Sequence, residues 1–183
     1  MLRFGSSCFR PCLWVICGMA ATALPAAFAH QGQGVVNMQG SIVDVPCAIA
    51  VSSRDQSIDL AVLPIGQLMR DGQGPASPFS IQLVNCALQQ MRPGRADWTQ
   101  FRVTFVGDVT DSALFGSTGQ AQGIGIQITD AAGNVAQPGV PMPPGALAPG
   151  DTRLDYRLRL VGTHQILRAG AYRTTVRFKM EYY

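Results

Sequence analysis

The stretch that most constrains this chain is its end, Gly170 to Tyr183, which reads GAYRTTVRFKMEYY. Tyr172, Thr174, Val176, Phe178, Met180 and Tyr182 alternate with Arg173, Thr175, Arg177, Lys179 and Glu181. Successive side chains of a β-strand point to opposite faces, so an extended Gly170–Tyr183 has one apolar, aromatic face and one mostly charged face. A helix would scatter both sets around its axis. The segment therefore predicts a strand and demands a sheet around it. Taken alone, the pattern fits the last core strand of an ordinary β-sandwich.

The other end of the chain reads differently. Arg3 and Arg10 precede a largely apolar Cys12–Leu24, and Ala27-Phe28-Ala29 supplies small residues for cleavage. This is the layout of a secretory signal peptide covering residues 1–29. The apolar run is too short and interrupted for a membrane span, and no later segment reaches spanning length. Cleavage removes Cys8, Cys12 and Cys17, which leaves Cys47 and Cys86. Two cysteines in an exported, oxidising compartment predict one disulfide, stabilising by about 3–4 kcal/mol in the chain-entropy treatment. Loss of Arg3 and Arg10 lowers the formal charge from +3 to about +1. Without a basic cluster, nucleic acid is an unsuitable partner.

Residues 30–183 suffice for one domain with a real core. His30–Gly40 (HQGQGVVNMQG) places Gly32, Gly34, Val36, Met38 and Gly40 on one face of an extended segment, an under-packed strand with a flexible start. In Gly40–Val51, Val43, Val45 and Cys47 share the expected inner face, and Pro46 marks an edge or a switch between sheets. Ser57–Leu63 (SIDLAVL) predicts a short strand. Pro64–Pro78 predicts a loop with one helical turn near Gly66–Met69. Phe79–Cys86 predicts a strand with Phe79, Ile81 and Leu83 inward; its alternation breaks at Val84, which lets Cys86 turn inward. Phe101–Val106 places Phe101, Val103 and Phe105 on one face. Ile124, Ile126 and Ile128 alternate ahead of a turn at Ala131–Asn134 and a short strand at Val135. After a Pro- and Gly-rich crossover, Pro138–Gly150, Leu154–Val161 places Leu154, Tyr156, Leu158 and Leu160 on one face. Seven or eight short strands separated by Gly/Pro turns give an all-β sandwich or barrel.

Catalytic chemistry finds no footing. The acids are ten Asp and one Glu, Glu181, spread through turns and outer faces, and no G-x-S-x-G is present. His30 and His164 have no ligand-like spacing to the cysteines, so no metal site is expected. Gly125 belongs to no phosphate-binding pattern. The reading is a non-enzyme without a cofactor or small-molecule substrate.

The pieces together carry a resemblance. A signal peptide, the lead-in GQGVVNMQGSIVDVPC, the strand FSIQLVNC, the tract GQAQGIGIQITDAAGN and the aromatic C-terminal strand resemble the pilin subunits of chaperone–usher fimbriae. The most specific features are the penultimate Tyr182 and Gly170, fourteenth from the end; Cys47 and Cys86 also fall where that family places its disulfide. The resemblance implies an incomplete immunoglobulin-like β-sandwich, residues 41–183, whose missing strand is donated by another chain. Residues 30–40 become a donor-strand extension with Gly32, Gly34, Val36 and Met38 at the donor positions. Gly170, Tyr172, Val176, Phe178, Met180, Tyr182 and Tyr183 become the chaperone and acceptor-groove strand, with the Tyr183 carboxylate against basic chaperone residues. The implied partners are a periplasmic pilus chaperone, an outer-membrane usher and neighbouring pilins, and the implied destination is the cell-surface fimbrium by way of the periplasm. The crossover and LDYRLRLV resemble minor subunits of P-type pili, so an adaptor or base-terminator role is expected over the major rod pilin. An Ig-like host-binding adhesin module is the competing reading; a two-domain tip adhesin would need a lectin domain for which residues 30–183 leave no room.

Overall fold

The computed structural model describes residues 35–91 and 93–183. Its elements run β1 (Ala48–Ile49), α1 (Val51–Arg54), α2 (Ile65–Asp71), β2 (Ser77–Cys86), β3 (Gln100–Val106), β4 (Thr118–Gly119), β5 (Ile124–Asp130), β6 (Val135–Ala136), β7 (Gly145–Ala146), β8 (Gly150–Gly162), β9 (Tyr172–Arg173) and β10 (Arg177–Tyr182). One sheet has the order β1-β2-β8-β5-β6, the second β10-β3-β7, and β4 pairs with β9. Every ladder is antiparallel. The inward residues of the two larger sheets meet between them. Phe79 of β2 and Tyr156 of β8 stack at 5.3 Å, and both turn edges toward Phe105 of β3, at 6.3 and 5.1 Å. Ile81, Leu83, Phe115, Val103 and the three isoleucines of β5 fill the rest of the core. Alternation in the sequence produces this layer: what reads as every second apolar residue is what the second sheet covers.

Cys47 and Cys86 form the expected disulfide, closing a 39-residue separation. The break in alternation at Val84 has a structural cause. The β2–β8 register shifts between Leu83 and Cys86, and Asn85 takes a left-handed backbone (φ 55°) with its N–H donated to Asp151 Oδ1 at 3.0 Å. Asn tolerates that conformation better than most residues. The bulge turns Cys86 inward, where it is buried beside Cys47.

Three expectations are corrected. Val43 and Val45 do not face the core: they are 66% and 48% exposed, and only Pro46 and Cys47 of that segment are buried. Among the described residues no strand pairs with residues 41–47, so alternation there has no sheet to act on. Ser57–Leu63 forms no ladder either; Leu60 and Leu63 lean on the core while Val62 stays in solvent. The closing segment is not one continuous strand. Its first part, β9, pairs with β4, and its second, β10, pairs with β3, with 174–176 between them in neither ladder. The helical turn expected near Gly66–Met69 extends over α2, ended by Gly72 at φ 70° with its N–H on the Leu68 carbonyl.

Gly170 has a backbone reason to be glycine. A Cβ there would lie 2.6 Å from Gln120 Cβ and 2.9 Å from the Ala121 nitrogen, in the place where Gln120 and Ala121 N–H groups reach the Ala171 carbonyl at 2.8 and 3.2 Å. Gly119, at φ 129°, faces the same Ala171 carbonyl. The approach of these two backbones sets where β9 begins. Gly170→Ala should therefore cost about 1–3 kcal/mol by overpacking. Gly66→Ala, inside α2 with open space around it, should be neutral or add up to about 1 kcal/mol. Urea unfolding of the subunit in its strand-completed form checks both; equal effects would refute the close-approach account.

Candidate functional site

β10 is built on β3, and the two strands differ in how well they are covered. In register, Phe178 lies opposite Phe105, Met180 opposite Val103 and Tyr182 opposite Phe101. Residues directly opposite in a ladder share a face. The β3 members are 2%, 2% and 8% exposed, as core residues are. Their neighbours Phe178, Met180 and Tyr182 remain only partly buried, and so do Tyr172 and Val176 further up the chain. An apolar face thus runs from core to half-open within one sheet, over the width of one strand.

The main chain of β10 follows the same division. Tyr183 N–H donates to the Gln100 carbonyl at 2.9 Å and Gln100 N–H donates to the Tyr183 oxygen at 3.1 Å. Stepping back by twos, Glu181–Arg102, Lys179–Thr104 and Arg177–Val106 are the bonded pairs. Phe178, Met180 and Tyr182 accordingly turn their N–H and C=O away from β3. Among the described residues no strand occupies that side. The equivalent groups of β3 are used, since the Val103 and Phe105 carbonyls accept N–H bonds from Met142 and Gly139 at 2.9 and 2.7 Å. The residues whose apolar side chains stay half-open are therefore those whose main-chain groups have no ladder partner among the described residues.

The far end of the strand is anchored. Thr99 N–H also donates to the Tyr183 oxygen, at 2.8 Å, and Trp98 packs edge-on against Tyr182 with centroids 6.4 Å apart. Arg102 lies over the Tyr183 ring at 5.6 Å. Partial burial raises the phenol pKa of Tyr182, and of Tyr172, above the ordinary tyrosine value. On the outward face, the Lys179 ammonium donates to Glu181 Oε1 at 2.7 Å, a bond that holds the lysine pKa above its ordinary value. Trp98 and Thr99 escaped the sequence reading because they lie in a segment without alternation; a lone Trp in a polar link was the available signal.

Of the expected site residues, Tyr172, Val176, Phe178, Met180 and Tyr182 all lie with partly buried side chains along this closing segment, and Gly170 seats its start. Val36 and Met38, expected at donor positions, are 82% and 89% exposed and in no strand. Gly32 and Gly34, like the expected signal peptide, lie outside the described residues. Among the described residues, no group of three or more His, Cys, Asp or Glu side chains could hold a metal ion. His164 borders an open hollow of about 1010 Å³ lined by loop residues such as Asp108, Thr110 and Ile166.

Amide hydrogen exchange should separate the two sets of residues. The amides of Phe178, Met180 and Tyr182 should exchange faster than those of Lys179, Glu181 and Tyr183, and should gain protection once the edge is covered. Uniform protection along β10 would place a partner on both of its edges.

Comparison with known proteins fits this geometry. The family described as "Fimbrial protein" matches residues 36–182. The PRS and PAP fimbrial minor pilin proteins of Escherichia coli are each 34% identical over 150 residues, covering 81% of this chain and 77% of theirs. The Major MR/P fimbria protein of Proteus mirabilis (strain HI4320) is 30% identical over 146 residues, covering 80% and 81%. Among solved structures, the P pilus rod subunit PapA superposes with a TM-score of 0.69 at 25% identity, over 76% of this chain and 100% of that one. A chaperone–usher pilus structure, described as revealing the basis of rod uncoiling, gives 0.68 at 28% identity, over 84% and 97%.

Proposed function

The chain belongs to the fimbrial protein family and is a structural subunit of chaperone–usher fimbriae; we propose that it is a minor subunit completed by a strand added at the free edge of β10. One observation carries the strand-addition reading: Phe105, Val103 and Phe101 are buried while the residues beside them on β10 are half open and, among the described residues, their main-chain groups have no ladder partner. A bare edge beside an apolar groove invites aggregation unless something covers it. An added strand supplies ladder bonds, each contributing about 0.5–1.5 kcal/mol net. Completing the burial of Phe178, Met180 and Tyr182 adds about 1 kcal/mol or more per side chain. Strand addition by extended segments is an established mode of recognition, with pilin donor-strand complementation among its general examples.

In this reading residues 1–29 are a cleaved signal peptide, 30–40 a donor extension with Gly32, Gly34, Val36 and Met38 facing a neighbour's groove, and 41–183 the pilin domain. A periplasmic chaperone covers β10 first, an outer-membrane usher handles the complex, and a neighbouring subunit's extension replaces the chaperone in the fibre. The minor-subunit assignment draws support from the 34% identity to two minor pilins, alongside a weaker likeness to a major fimbria protein.

Co-expression tests completion. With its chaperone the subunit should be soluble and co-purify; alone it should aggregate or be degraded. A stable monomer without any chaperone would sink the missing-strand reading. Phe178→Ser, and separately Tyr182→Ser, should abolish capture, while Arg157→Ser on the outer face of β8 should leave it intact. Unchanged capture by the first two would place the interface elsewhere.

Copy number tests the subtype. Deleting this subunit should leave fibres in place with altered number or length, and purified fibres should contain it as a small minority of their subunits. Complete loss of fibres, together with its being the bulk component, would make it the rod pilin.

A further inference from the structure

The face of β10 opposite the groove is basic, and this has a consequence for what can bind the edge. Arg177, Lys179 and Glu181 project outward, with Arg102 of β3 beside Glu181. Lys179 and Glu181 pair with each other at 2.7 Å, and Arg102 is engaged with the Tyr183 ring. Arg177 makes no ion pair among the described residues, and its partner across the ladder is Val106. Among the described residues the outward edge of β10 therefore carries Arg177 without an ion pair, followed by Lys179, which shares a single carboxylate.

An antiparallel strand laid on this edge bonds to Phe178, Met180 and Tyr182, so it meets Arg177, Lys179 and Glu181 in the non-bonded pairs. There the Cα atoms are about 4.5 Å apart and side chains come closest. Opposite charges at such pairs stabilise, and like charges directly opposite destabilise. The chain's own extension brings no charge to this edge. If Gly32, Gly34, Val36 and Met38 face a groove, its outward positions are Gln31, Gln33, Val35, Asn37 and Gln39, and none is charged.

We propose that the segment completing this subunit carries acidic residues at the outward positions opposite Arg177 and Lys179, and that this charge selects it over the extension of a second copy of this chain. The inference rests on the strand addition at β10 proposed above and specifies the chemistry of the partner. Apolar side chains in the groove set whether a strand binds; outward charge sets which strand binds.

The test refolds residues 30–183 with an excess of labelled peptides built on residues 30–40. One peptide keeps the native sequence, a second carries Val35→Glu and Asn37→Glu, and a third carries Val35→Lys and Asn37→Lys. Two exposed pairs predict a preference of about 2- to 30-fold for the acidic peptide over the native one, and a comparable loss for the basic one. The gap should close near 1 M salt, where the screening length falls to about 3 Å. Arg177→Gln should shrink the preference, and the double variant Arg177→Glu with Lys179→Glu should reverse it. A peptide with the same two charges placed inward, Val36→Glu with Met38→Glu, should not bind. Equal binding of the three peptides overturns charge selection and leaves strand addition standing. So does a preference that survives Arg177→Gln and high salt, whereas equal binding of the inward-charged peptide overturns strand addition at the apolar face together with the charge inference that rests on it. Binding of none of them overturns both readings together.

Discussion

The organising constraint is a strand with one satisfied edge. β10 gains its order from β3, through bonds at Arg177, Lys179, Glu181 and Tyr183, and through apolar contact with a core that β3 completes. Its other edge offers the main-chain groups of Phe178, Met180 and Tyr182 to whatever comes next. Period-two geometry links the two sides without freedom: a residue that points its side chain into the groove must, beside β3, point its amide and carbonyl toward the open edge. One set of three residues thus supplies both apolar surface and ladder groups. A protein interior tolerates neither an exposed apolar stripe nor unpaired main-chain groups for long, so incompleteness in this fold is chemical demand of a defined shape.

Much of the rest holds that strand in place. The disulfide ties Cys47 to the end of β2, and the bulge at Asn85 is what turns Cys86 toward it. Gly170 and Gly119 bring the start of the closing segment against Gln120 and Ala121 at a distance no Cβ permits. Trp98, Thr99 and Gln100 hold the other end at Tyr182 and Tyr183. Pinned at both ends, the segment spans two small ladders while its middle, residues 174–176, belongs to neither. Anchored ends and a rigid neighbour fix the register that an incoming strand must match.

Alternation made most of this architecture legible. β2, β3, β5 and β8 read correctly because each has a partner strand and a covered face, so period two in the sequence becomes inside and outside in space, and β10 keeps the same alternation over the second part of the closing segment. The same rule misled at Val43, Val45 and Ser57–Leu63, where the pattern is present but no strand pairs alongside. Alternation reports what a segment could bury, and burial needs a second surface. The break within the closing segment was illegible for a related reason. Burial alternates without interruption from Tyr172 to Met180, so nothing in the side-chain pattern marks where one ladder partner is exchanged for another. Gly170 was legible as a required glycine only through resemblance; the Gln120–Ala121 backbone that requires it is distant in sequence.

The two faces of β10 do separate work because their energies differ in kind. Apolar burial in the groove is large, depends on area and is blind to sequence detail beyond size, so many alternating segments could satisfy it. Charge at exposed cross-strand pairs is small, within about 1 kcal/mol per pair, but its sign discriminates between strands of equal apolar content. Among alternating segments of similar apolar content, apolar burial alone would sort poorly. Arg177, with Lys179 two residues further on, stands where a weak, screened interaction can act on that choice, since Arg177 is outward, makes no ion pair among the described residues and lies directly beside the position an added strand would occupy. Affinity in such an arrangement resides in Phe178, Met180 and Tyr182, and selectivity in the residues between them.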